Sequence, residues 1–359
     1  MRQEDLENGG KLMVRPARSH FAQPAARRAG TSADGSDMIE IVGGTFFMGS
    51  DSFYPEEAPV RQVRVDGFRI DAYPVTNRQF AAFVAATGYR TVAETAPNPK
   101  DYPGMSAAMA RPGSSVFRPP AQLRNRHDHG QWWHFVFGAD WRHPTGPDSS
   151  LDGLEDHPVV QVAYHDAAAF AGWAGKALPT EAEWEFAARG GLDRADYAWG
   201  DTLAPEGRVF ANYWQGEFPL VNERADGWTG TSPVGSFPAN AYGLYDLIGN
   251  VWEWTDDWYA VVAAPVRSCC VPHNPRGGTK AGSHDPSAPE WKIGRKVLKG
   301  GSHLCAENYC RRYRPAARHA QTIDTGTTHI GFRCVWRPEG PRDRPGRARS
   351  VAAHTKSII

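Results

Sequence analysis

The sequence predicts an α+β chain: a single loop-rich domain with little regular secondary structure. Three observations carry that prediction. Gly (37), Pro (28) and Trp (13) are abundant while charged residues make up only 22%, a composition of turns and irregular segments around an aromatic core. Short strand-like runs bounded by glycine outnumber helical patterns. No internal repeat or composition break divides residues 38–337, and 359 residues are ample for a core.

The elements follow in order. Residues 1–37, rich in Ala, Arg, Gly and Ser, read as a disordered tail, as do residues 338–359. From Met38, MIEIVGGTFFMGS reads as strand, glycine turn, strand, and VRQVRVDGFRIDAYPVT as a second strand pair. Thr76 to Gln79 is a capping-box pattern backed by Phe80, Phe83 and Val84, which predicts a helix over Asn77 to Thr87. A second helix is predicted from Asp166, with Ala167, Phe170, Ala171 and Trp173 along one side. A third starts at the capping box Thr180-Glu181-Ala182-Glu183, turns Trp184, Ala187 and Ala188 inward, and stops at Gly190-Gly191. Beyond Asp201 the chain reads as short strands, VLKGGSHL and HIGFRCVW among them, joined by long loops. Such loops need internal staples or bound ions.

Lys+Arg and Asp+Glu both number 40, and a formal charge of zero argues against a nucleic-acid or membrane-surface binder. No run approaches the ~20 apolar residues of a spanning helix, and the N-terminus lacks the apolar core of a signal peptide. A cytoplasmic address is expected. Five cysteines, Cys269, Cys270, Cys305, Cys310 and Cys334, are too few and odd in number for a disulfide framework.

Cys305 and Cys310 lie in GGSHLCAENYCRRYR. Five positions apart, their side chains oppose on a strand and diverge by about 140° on a helix. They meet only if the segment bends, which Gly300, Gly301 and Asn308 would permit. Convergence allows a labile disulfide or a soft ion held by two thiolates, for which Cu(I) is the natural guest. Zinc prefers four ligands and closer spacing. The third reading is two unrelated buried thiols. Cys269, Cys270 and His273, in SCCVPHNPRGG, read as a structural loop because adjacent cysteines diverge, and Cys334 reads as core.

KGGSHLCAENYCRRYRPAAR followed by HIGFRC closely resembles the C-terminal signature of the formylglycine-generating enzymes, the sulfatase-modifying factors. GGTFFMGS, DAYPVTNRQFAAFV, WAGKALPTEAEWEFAARGG, PVGSFPANAYGLYDLIGNVWEWTDDWY and PHNPRGG extend the likeness over about residues 38–337. The resemblance implies the FGE-sulfatase fold, a loop-rich variant of the C-type lectin-like fold. It also implies a reaction: the cysteine of a Cys-x-Pro-x-Arg segment, in an unfolded or nascent type I sulfatase, becomes formylglycine at the expense of O2 and a thiol reductant. A monomer with no nucleic-acid or membrane partner is implied too.

By motif position, Cys305 and Cys310 would hold Cu(I), with the substrate thiol as a third thiolate. Cys310 matches the deeper cysteine and Cys305 the one that exchanges with substrate. Ser302, Trp252 and Tyr309 match residues lining an oxygen pocket, and His329 stands where the family often has Asn. Two structural Ca2+ sites are implied. The first takes Asn212 and Asp226 with the carbonyls of Tyr213 and Trp228; the second takes Asp246 and Glu253 with those of Gly249 and Val251. Oxygen ligands suit a hard cation, and Asp246, where Asn is commoner, adds charge. Ala171, Ala188, Pro315 and Cys334 stand at the four positions of two disulfides in secreted animal relatives, a departure that fits a reducing compartment.

Three rivals stand beside this reading. An iron-dependent sulfoxide synthase of the same superfamily needs a His-x3-His-x-Glu motif, and His127-Asp128-His129 has the wrong spacing. A non-catalytic lectin-like binding module has no use for the Cys-x4-Cys segment. A zinc protein would join Cys269, Cys270 and His273 to Cys305 and Cys310.

Overall fold

The computed structural model describes residues 37–261 and 270–338, together with the backbone of 27–31. Its first five strands are β1 (Arg27–Thr31), β2 (Asp37–Ile41), β3 (Gly44–Met48), β4 (Arg61–Val65) and β5 (Phe68–Asp71). The strands expected from MIEIVGGTFFMGS and VRQVRVDGFRIDAYPVT are present, but their partners are crossed. β2 pairs with β5 (Ile39 opposite Ile70) and β3 with β4 (Phe46 opposite Val63), both antiparallel. Gly43 and Gly67 mark the break, so tightly opposed that a Cβ on Gly43 would lie 2.4 Å from the Asp66 backbone. β1 extends the sheet beside β2. It lies inside the stretch expected to be a tail, so order starts before Met38.

The helices are α1 (Asn77–Thr87), α2 (Tyr164–Trp173) and α3 (Glu181–Arg189). Both expected capping boxes form: Thr76 Oγ1 accepts from Gln79 N (3.3 Å), and Thr180 Oγ1 from Glu183 N (3.1 Å). α2 begins two residues before Asp166, which sits in its first turn and accepts from Ala163 N at 2.8 Å. Trp173, expected on the inner side, is 39% exposed at the helix end.

A hairpin of β6 (Gly113–Phe117) and β7 (Trp133–Phe137) follows α1, and β8 (Trp252–Trp258), β9 (Arg295–Lys299), β10 (Arg318–Thr322), β11 (Ile330–Gly331) and β12 (Val335–Trp336) follow α3. The second four-stranded sheet runs β10-β9-β8-β11, and the first runs β1-β2-β5-β12. VLKGGSHL is therefore strand only as far as Lys299. HIGFRCVW splits in two: β11 pairs with β8, while β12 pairs with β5. Between them Phe332, fully buried, packs on Phe170 with ring centroids 5.4 Å apart. That one segment ties the sheets together across the aromatic core of Phe80, Phe83, Phe170, Trp184 and Trp254.

Candidate active site

The segment after β9 is turned by two glycines that no other residue could replace without strain. Gly300 and Gly301 have φ of +91° and +74°. Cβ atoms there would strike the Leu247 carbonyl at 2.5 Å and the Arg312 carbonyl at 2.6 Å. Successive turns then fold the chain back: Cys305 N donates to Ser302 O (2.9 Å), and Cys310 N to Ala306 O (2.9 Å). The sulfurs of Cys305 and Cys310 finish 3.3 Å apart. That separation is a thiol hydrogen bond, well beyond the ~2.05 Å of a disulfide. Of the three readings open to this pair, separate buried thiols is excluded.

The pair forms the floor of a cleft of about 450 Å3 whose walls include Trp133, Phe218, Trp252, Ser302, Tyr309 and His329. Ser302, Trp252 and Tyr309 are therefore all brought to the site. Tyr309 lies flat on Phe218, with centroids 4.3 Å apart, and burial raises its hydroxyl pKa to about 12. His329 rests against Trp133 at 4.8 Å, its Nδ1 2.5 Å from Thr327 Oγ1. Burial holds its pKa well below the usual imidazole range, so the ring is neutral.

The two thiols are not equivalent. Cys305 is 2% exposed and Cys310 is partly exposed. The expectation that Cys310 lies deeper is thus reversed, because Cys305 follows directly from the buried turn at Ser302 whereas Cys310 closes the outer one. The hydrogen bond from Cys305 and the nearby Arg312 guanidinium hold the Cys310 thiol at about 7, against the burial that would raise it. Burial pushes Cys305 well up. The thiolate therefore belongs on Cys310, with the remaining proton on Cys305.

Arg312 had no signal in the sequence. Its Nη1 lies 3.7 Å from Cys310 Sγ, its guanidinium sits 3.8 Å over the Tyr54 ring, and Glu56 fixes its other side. Tyr54 and Glu56 come from a loop some 256 residues away, so only the fold could disclose them.

Among the described residues no three His, Cys, Asp or Glu side chains converge on one point. Two thiolates alone suit a soft, low-coordinate ion such as Cu(I) and leave room for a third sulfur, whereas zinc would want four ligands. The zinc reading gains nothing here: His273 bonds Asp66 (2.8 Å) at the surface, and Cys269 lies outside the described residues.

The calcium residues divide. At the second site Asp246 is buried, with one carboxylate oxygen on Gly235 N (2.7 Å) and the other facing no donor among the described residues. Burial raises its pKa to about 6. An orphaned buried carboxylate oxygen is what a hard cation would satisfy. Gly249 shares the turn (φ +78°) with Val251 close behind, but the Glu253 charge is already met by Arg333 (2.7 Å) and Trp184 Nε1 (2.7 Å). At the first site the Tyr213 carbonyl and the Asp226 carboxylate converge on the Gln215 amide nitrogen. Trp228 approaches through its N–H (2.9 Å), and the Asn212 amide turns to Gly230 O (2.9 Å).

A lectin-like, loop-rich scaffold carrying a paired-thiol cleft defines the class, and residues 23–338 match the sulfatase-modifying factor enzyme 1-like domain. The chain belongs to that FGE-sulfatase family. It is 54% identical to the formylglycine-generating enzyme of Mycobacterium tuberculosis over 306 residues, 84% of this chain and 98% of that one. To the formylglycine-generating enzyme of Thermomonospora curvata it is 48% identical, over 84% of this chain and 93% of the relative. A Bos taurus protein named inactive C-alpha-formylglycine-generating enzyme 2 is 39% identical over 83% of this chain and 87% of its own. The higher identities fall on relatives named as enzymes, and this chain is an enzyme of the family. The structure of PvdO from Pseudomonas aeruginosa superposes with a TM-score of 0.59 at 21% identity, over 88% of this chain and 99% of that one, a likeness of fold alone. No helix among the described residues is long and apolar enough to cross a membrane.

Proposed function

We propose that this protein converts the cysteine of a Cys-x-Pro-x-Arg segment in type I sulfatases to Cα-formylglycine, with Cu(I) on Cys305 and Cys310, O2 as oxidant and a thiol as reductant. One observation carries the reading: two sulfurs 3.3 Å apart on the floor of an open cleft. A relative named inactive is 39% identical, so likeness over the whole chain does not by itself carry activity. When bound, Cu(I) would supply the one-electron chemistry that O2 needs in order to react with an organic substrate. The chain's own residues do the rest. Cys310 faces the entering substrate, Arg312 balances its negative charge, and the aromatic walls of Trp133, Phe218 and Trp252 exclude water from the reacting sulfur. An extended segment fits such a cleft and a folded sulfatase does not, so the substrate is an unfolded or nascent chain, met by a monomer in the cytoplasm. A structural calcium ion at the second site completes the reading, favoured by the orphaned Asp246 oxygen; at the first site the Gln215 amide already takes the Tyr213 carbonyl and the Asp226 carboxylate.

The test is aldehyde formation on a synthetic Cys-x-Pro-x-Arg peptide, with copper measured in parallel. Cys305→Ala and Cys310→Ala should each lose the single copper and slow turnover by more than ~100-fold, beyond the effect of losing an outer-sphere partner. Full peptide oxidation by either variant would remove these residues from the chemistry.

A further inference from the structure

Beside the cysteine cleft lies a second cavity, of about 720 Å3, framed by the 90–109 segment, the start of β6, Phe135 of β7, Trp291 and residues 324–326. Ser115 and Thr325 line both spaces, so the two share a wall. The β6–β7 register explains how. Phe117 stands opposite Trp133, and Ser115 opposite Phe135. Trp133 and Phe135 are two residues apart on one strand, so they leave the same face ~7 Å from each other. Trp133 lines the cysteine cleft and Phe135 the neighbouring cavity.

The second cavity is apolar and open. Met109, Phe135 and Trp291 are 43%, 47% and 43% exposed around it, and large apolar side chains left in water around one concavity mark a binding surface. Of its charged residues, Asp324 is engaged by the Tyr102 hydroxyl and Arg90 by the Glu94 carbonyl (2.7 Å), and Asp101 is exposed to solvent, while the apolar side chains supply most of the lining. The site is built for an apolar group rather than a charged one.

We propose that this cavity is a second substrate subsite, receiving an apolar side chain of the same sulfatase polypeptide from outside its Cys-x-Pro-x-Arg core. The inference rests on the function proposed above. Its occupant follows from continuity: a chain lying extended in the cysteine cleft advances ~3.3 Å per residue, so two residues span the step from Trp133 to Phe135. Residues flanking the motif pass over the cavity. Unfolded segments expose apolar side chains that folded proteins hide, so the subsite also selects the state of the substrate.

Binding of fluorescent peptides to the full-length protein tests this without relying on turnover. A minimal Cys-x-Pro-x-Arg peptide is compared with versions carrying Leu at each flanking position in turn. Leu at one position, on one side of the motif, should tighten binding about tenfold. Phe135→Ser and Met109→Gln, both at exposed positions, should each bring that ratio close to one. The subsite is overturned if no position gains, if the gain survives both substitutions, or if the ratio stays flat while the wild type self-associates through this face. Oxidation of the minimal peptide is scored separately. If it is oxidised and the ratio is flat, only the subsite fails; if it is not oxidised, the proposed function fails first.

Discussion

Iodoacetamide offered to the reduced, metal-free protein should find Cys310 before Cys305. Cys305 is 2% exposed and donates its proton to Cys310, whereas Cys310 opens to the cleft beside Arg312. Alkylation needs both a thiolate and access. Fragment spectra of the peptide containing both cysteines check the order, and primary labelling at Cys305 would contradict it. Asp166 shows the same competition between burial and hydrogen bonding away from the site. Three donors reach its carboxylate, Ala163 N (2.8 Å), Val92 N (3.0 Å) and Tyr89 OH (3.1 Å), yet burial still raises its pKa to about 6. Since the folded value lies above the unfolded one, its contribution to stability is complete below about pH 4 and is lost as pH rises through 6. A shift of ~2 pKa units amounts to about 3 kcal/mol. The stability of wild type minus that of Asp166→Asn, read from urea melts, should therefore fall between pH 4.5 and pH 7, the wild type losing ground as its carboxyl ionises; a constant difference would show that Asp166 does not titrate in this window.

At the level of elements, the site is a pair of interlocked turns. The 246–253 turn and the cysteine loop exchange hydrogen bonds: Gly249 N to Gly300 O (3.0 Å) and His303 N to Asn250 O (3.0 Å). A cation at Asp246 would therefore brace the loop that places the thiols. Calcium at one hundred times its Kd should stabilise the chelator-treated protein by about 2.7 kcal/mol, read as a rise of several degrees in Tm. Asp246→Ala should abolish that response, and a rise that persists in the variant would move the ion elsewhere. The helices were legible in the sequence because capping boxes are local, and Thr76, Thr180 and Gly190 behave as their residue types require. The bend between the cysteines was legible only as a requirement. Asn308 does not make it: the overlapping turns on Ala306 do, while the Asn308 side chain accepts from Phe218 N instead. Strand pairing was misleading because Gly43 and Gly67, which look like hairpin turns, are places where the chain changes sheets.

In the molecule as a whole, long loops are held by buried ion pairs rather than by regular ladders. Glu57–Arg314 and Glu253–Arg333 are at most 1% exposed, and Lys299 joins Glu185 (2.9 Å) in the same interior. No sequence pattern announces such pairs, since each joins residues scores to hundreds apart, whereas the cysteine motif is contiguous and could be read directly. Glu57–Arg314 reaches the site itself: Glu57 adjoins Glu56, which fixes Arg312, which stands beside Cys310. Arg314→Met should cost ~3–5 kcal/mol by leaving Glu57 buried and unmatched, and Glu57→Leu in the same chain should restore most of it, because two apolar side chains carry no desolvation penalty. Guanidinium melts of the two single variants and the double variant measure this. Stability and chemistry should then part company. The double variant keeps the fold but loses the tether on the Glu56 loop, so Arg312 is held less firmly and Cys310 alkylation should remain slower than in the wild type even where the melt has recovered. Recovery of both together would mean that the pair stabilises the fold without positioning the site.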